Sequence, residues 1–220
     1  MKIKQLIPIA VILAIVLGFL GITADFNTYR RKSKTIPQGD GGLVFSLNTF
    51  DGSTEGNFFV KCLGHSWISL ENNLDHPIYI KDYALYPGQM LTVSVWGIGG
   101  HFGVGFNMES EFARKYGRYQ GMQSLSATID EAKLGVIEEY IAAHDYWKFT
   151  ENCSYWSLHL WNAVMEDDFD MKTQTVLYTP ARVQRSFAEY DCVETDKDMS
   201  HAGKAFFYLD GVRTELELCK

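Results

Sequence analysis

Five early runs of the chain are rich in Val, Ile, Phe, Trp and Thr: Leu43 to Leu47, Asn57 to Leu63, His65 to Glu71, Pro77 to Tyr83 and Met90 to Trp96. Gly, Asn, Asp and Pro separate them, so each reads as a strand. In HSWISLE the period of two puts His65, Trp67, Ser69 and Glu71 on one face and Ser66, Ile68 and Leu70 on the other. The period then changes. Ile129, Ala132, Val136, Ile137, Tyr140 and Ile141 recur at helical spacing behind Thr128-Ile-Asp-Glu131, a capping box, and predict a helix over 129–143. Cys153, Trp156, Ser157, Leu160, Trp161 and Val164 form a second one-faced stripe, with Asn152 as its N-cap. KAFFYL and VRTELEL flank Asp210-Gly211, which predicts a hairpin over 204–219. Strands, then two helices, then a hairpin predict an α+β fold with an antiparallel sheet.

Ahead of this domain, Met1 to Lys4 is basic and Leu6 to Ala24 is free of charge. At about 1.5 Å per residue, such a segment approaches the ~30 Å of a bilayer core. Residues 1–24 therefore read either as a signal peptide, with Ile22 and Ala24 at the −3 and −1 positions, or as a membrane anchor if uncleaved. Either reading puts the domain outside the cytoplasm. Residues 25–42 are polar, end in Gln-Gly-Asp-Gly-Gly and read as a linker to a domain over 43–220.

The chain has 220 residues, 46% of them hydrophobic, and a formal charge of −7. One catalytic-sized domain fits that length. The acidic balance argues against nucleic acid as a partner. Four cysteines are too few for a disulfide-built scaffold; Cys192 and Cys219 are a candidate pair. The glycine-rich run Trp96 to Asn107 is rejected as a dinucleotide fingerprint because no helix of the right pattern is expected after it. Cys62-x-x-His65 has the spacing of two metal ligands but lacks a second close pair, so no metal site and no cofactor are expected.

Cys153 stands where a helix begins. Unpaired N–H groups and the helix dipole favour a thiolate there, and the stripe turns Cys153 inward. A thiolate nucleophile needs a histidine to hold and return a proton; His65, opening its strand, is the candidate. A third polar group should orient the imidazole. His76, Glu71, Asn72 and Asn73 are rivals for that role. Asn152-Cys-Ser is also a glycosylation triplet.

GHSWISLEN, the meander after it and ENCSYWSLHLWNAV resemble the circularly permuted NlpC-type papain-like cysteine hydrolases, the group of lecithin:retinol acyltransferase. The resemblance covers roughly residues 43–165. It implies a permuted papain-like meander or partial barrel packed on two helices, with Cys153 as nucleophile, His65 as general base and His76 as provisional third member, Glu71 being the alternative. The family's usual oxyanion Gln is missing; Tyr146 and Trp147 occupy that neighbourhood. The oxyanion would then be held by the Cys153 N–H and another group such as the Tyr146 hydroxyl, with Asn152 and Trp156 lining the groove. By resemblance the expected partner is a peptide or acyl substrate, with peptidoglycan as the cell-wall case. Expected activities are amide hydrolysis, acyl transfer from the same site, or, with the site inactive, surface binding.

Overall fold

Strand β1 (Leu43–Phe50) is buried along nearly its whole length because it is paired on both edges. It lies in an open eight-stranded antiparallel sheet with β2 (His65–Asn72), β5 (Met90–Ile98), β6 (His101–Phe106), β7 (Gln123–Ile129), β8 (Val193–Thr195), β9 (Phe206–Leu209) and β10 (Val212–Glu215). The order is β10-β9-β6-β5-β2-β1-β7-β8, and the sheet does not close into a barrel. This computed structural model describes residues 34–36, 38, 42–52, 64–98, 101–116, 119–165, 169–171, 178–199 and 203–216. The apolar segment Leu6 to Ala24, the predicted strand Asn57 to Leu63, Cys62 and Cys219 lie outside them. No described helix is long and apolar enough to cross a membrane.

Alternation assigns the two faces of the sheet. Phe45, Leu47, Ile68, Leu70, Val93 and Val95 pack with α2 (Lys133–Ala143), α3 (Cys153–Val164) and α4 (Pro180–Ser186) in the main core. There Trp161 of α3 stacks on Phe45 at 5.6 Å between ring centroids. Full burial of each such side chain contributes about 1.5–3 kcal/mol. The opposite face carries Trp67, Thr92 and Trp96 and is covered by α1 (Met108–Tyr116) and by a cluster of Tyr119, Met122 and Met199.

Several expectations are corrected. The helix expected over 129–143 starts only at Lys133, because Thr128 and Ile129 are paired in β7 with Val44 and Leu43. Extended backbone there cannot form the capping box, and Glu131 instead meets His76. The strand expected over Pro77 to Tyr83 breaks at Lys81, whose φ is 53°, into a separate hairpin of β3 (Ile78–Ile80) and β4 (Tyr83–Leu85). A helix, α1, does follow the glycine-rich run, but Gly97, Gly103 and Gly105 lie within β5 and β6 rather than in a turn between strand and helix. The glycines serve close packing: a Cβ on Gly103 would meet Asp145 Oδ1 at 2.6 Å, and one on Gly105 would meet Met108 at 2.8 Å. The end of the supposed linker belongs to the domain: Lys34 bridges Tyr190 and Ile36 is 1% exposed in the core. The Asp210-Gly211 turn joins β9 to β10, both residues having positive φ (49° and 78°), as a hairpin turn of this type requires. Cys192 is a free thiol.

Candidate active site

Asn152 aims the start of α3. Its side-chain oxygen accepts from the N–H groups of Ser154 at 3.0 Å and Tyr155 at 3.2 Å. Its amide donates to the carbonyls of Phe149 at 3.3 Å and Tyr178 at 2.9 Å. The cap thus satisfies two of the helix's orphan donors and ties the turn to a neighbouring segment. A glycan on Asn152 is incompatible with this use of its amide. Cys153, next in the chain, is half-buried. Among the described residues its own N–H has no hydrogen-bond partner.

The sheet opens where this thiol meets it. β2 and β5 pair from Ile68↔Val93 to Glu71↔Met90 and no further toward His65, while β5 turns to β6. The groups of Ser66 freed by that parting find other partners. Its carbonyl accepts from the Ser94 hydroxyl at 2.8 Å, and its backbone lies beside Cys153, whose thiol it helps to lower. His65, adjacent, lies beside the same thiol, near enough for each group to shift the other's titration. The thiol reaches the imidazole from the helix-covered side of the sheet.

From the other side comes a carboxylate. Glu109, in the first turn of α1 and 0% exposed, sits with Oε1 at 2.9 Å from His65 Nε2. Its two oxygens also accept from the Trp96 indole N–H at 3.0 Å and the Thr92 hydroxyl at 2.8 Å. Trp96 packs on the imidazole at 4.4 Å between centroids, and the ring is 12% exposed. No protein-family model, curated protein or solved structure matches this chain.

Burial opposes charge on both reacting groups, and proximity outweighs it. Desolvation disfavours the imidazolium, but the neighbouring Cys153 thiolate, their hydrogen bond and Glu109 raise His65 to about 10. Burial likewise pushes the Cys153 thiol up, but the His65 charge, the bond to it and the Ser66 and Ser154 donors bring the thiol below its ordinary value. The pair is favoured as thiolate and imidazolium.

The remaining sequence candidates lie elsewhere. His76 is half-exposed and is held by Asp75 at 2.9 Å and Glu131 at 3.1 Å, so it does not orient His65. Glu71 is six residues along β2 from His65, and at about 3.3 Å per residue it is out of reach. Tyr146 lies beside Glu151, which pushes its phenol up from the ordinary value, and its ring is 6.3 Å from that of His144. Trp156 is 2% exposed and donates to the His144 carbonyl, as part of the core rather than of a groove. Glu109 was missed. Its available signal was Asn107, a turn former, followed by a helix start with Glu109 and Glu111 in the first turn. Among the described residues no group of three or more His, Cys, Asp or Glu could hold a metal.

Two other features are not the site. A cavity of about 540 Å³ lies beside α4, lined by Asp51, Gln123, Gln184 and Arg185 among others, with no catalytic candidate. Lys197 reaches Ser46 Oγ at 2.9 Å and is held below the usual lysine range by burial, but Ser46 is 0% exposed and closed to substrate.

Proposed function

We propose that this chain is an exported cysteine hydrolase that cleaves an amide bond, a cell-wall peptide being the substrate class, through a thioester on Cys153. The observation that carries the reaction is the Cys153–His65–Glu109 array: Glu109 Oε1 lies 2.9 Å from His65 Nε2, and the thiol and imidazole are near enough to shift each other. Export rests on the apolar segment Leu6 to Ala24, and the substrate class on the family resemblance.

The thiolate attacks the carbonyl carbon, and the oxyanion so formed takes the free Cys153 N–H. Collapse breaks the C–N bond as His65 gives its proton to the departing amine, leaving a thioester and a neutral imidazole. Water then attacks the thioester; His65 removes its proton, and collapse breaks the C–S bond, releasing the free acid and the Cys153 thiolate beside the imidazolium, so the ion pair is restored. Glu109 accepts from Nε2 and keeps its proton and the ring plane in place. An added amine or alcohol in place of water would make the same site an acyltransferase.

The test is intact-mass spectrometry of the purified chain with muropeptides and synthetic peptide amides, followed by product mass. An adduct on Cys153 that decays to free acid supports hydrolysis. Decay only to an added amine's amide replaces hydrolysis with transfer. A thiol that forms no adduct and resists iodoacetamide overturns the enzyme reading in favour of a binding module.

A further inference from the structure

The glycine-rich run Trp96 to Asn107, which no step of the proposed chemistry uses, builds a seat for one indole. Trp96 of β5 is paired with Gly103 of β6 and is 7% exposed. Its ring lies against Gly105, where a Cβ would stand 3.0 Å from Trp96 Cδ1. Phe112 of α1 stacks on the same ring at 5.4 Å between centroids, with 16° between planes. A glycine strand and a helix thus hold the indole in one place.

Seated there, Trp96 touches both members of the His65–Glu109 pair. Its N–H donates at 3.0 Å to Glu109 Oε1, the same oxygen that lies 2.9 Å from His65 Nε2. Its ring centroid is 4.4 Å from that of the imidazole, with 48° between planes. A carboxylate oxygen has room for two such donors, so the Trp96 N–H fixes the direction from which His65 must approach. A cation within about 6 Å of an indole centroid is attracted by the ring, and a neutral imidazole lacks that attraction. The ring contact therefore favours the charged form of His65.

We propose that Trp96 is a positioning residue of this site, its N–H setting the Glu109 oxygen where His65 needs it and its ring holding the charged imidazole. The role in turnover rests on the hydrolase reading. The clamp itself can be read without substrate.

The test joins NMR to single-turnover acylation of Cys153 by a synthetic peptide amide, with unfolding curves to verify the fold. In the wild type, the Trp96 indole N–H resonance should shift with pH at the midpoint of His65, because both donate to one oxygen. Trp96→Phe, which keeps a ring and loses the donor, should slow acylation by about tenfold to a hundredfold. Trp96→Leu lacks donor and ring alike, so its His65 midpoint should fall below that of Trp96→Phe by about half a pH unit. An indole resonance indifferent to His65, or wild-type acylation by Trp96→Phe, overturns the positioning role; equal midpoints in the two variants overturn the part of the ring. Should the variants not fold, the wild-type resonance decides alone. A wild-type Cys153 that takes no acyl group removes the hydrolase reading, and the indole measurement still decides the clamp.

Discussion

Glu109 and His65 meet at 2.9 Å with the carboxylate wholly buried and the imidazole just reaching the surface. A buried carboxylate holding one imidazole nitrogen fixes both tautomer and ring angle. Glu109→Gln should lower acylation of Cys153 by about a hundred- to ten-thousand-fold with the fold intact, by analogy with other orienting acids. Single-turnover mass spectrometry measures it, and an unaltered rate would remove Glu109 from the site.

His76 is the matching negative control. Half-exposed and paired with the exposed Asp75, it belongs to the surface. His76→Ala should leave the unfolding midpoint unmoved and Cys153 alkylation within about twofold. A large loss of reactivity would restore it as the orienting group.

The pH dependence follows from the two directions. Cys153 is depressed, so its thiolate persists as pH falls below the ordinary thiol range and is lost only lower. His65 is raised to about 10, so the imidazolium that protonates the leaving group is present below that pH and disappears above it. Turnover should have an acid limb below the usual thiol value of about 8.5 and an alkaline limb near 10. In His65→Ala the alkylation profile should shift up, to or above the ordinary thiol value of about 8.5, because burial then acts without the imidazolium. An acid limb already at that value in the wild type contradicts the ion pair.

Asn152 joins stability to reactivity. Asn152→Ala leaves the Ser154 and Tyr155 N–H groups uncapped and releases Tyr178. Denaturant unfolding should show a loss of about 0.5–2 kcal/mol. Alkylation of Cys153 should slow as well, because the helix start no longer holds the sulfur against Ser66. Asn152→Asp, which retains the accepting oxygen, should recover most of the stability.

The two halves of the candidate site differed in legibility. The α3 stripe and its Asn152 cap could be read because every contact that makes them lies within a few residues. The His65 face of β2 was readable for the same reason. Glu109 was hidden because no helix was expected after the glycine-rich run, whose Gly103 and Gly105 are strand residues pressed by Asp145 and Met108. His76 looked suitable because β2 and its successor were expected to lie side by side. The left-handed turn at Lys81 instead folds β3 onto β4, and His76 meets Glu131 outside the main sheet.

Local periodicity by itself determined an antiparallel α+β chain, a cysteine at a capped helix start and a histidine opening a strand, because period and cap are properties of neighbouring residues. Only the tertiary structure decided what those two residues face. Glu109 lies 44 positions from His65, and Ser154 lies 88 from Ser66. Such contacts are set by sheet register and by the parting of β2 from β5, which depend on all eight strands together.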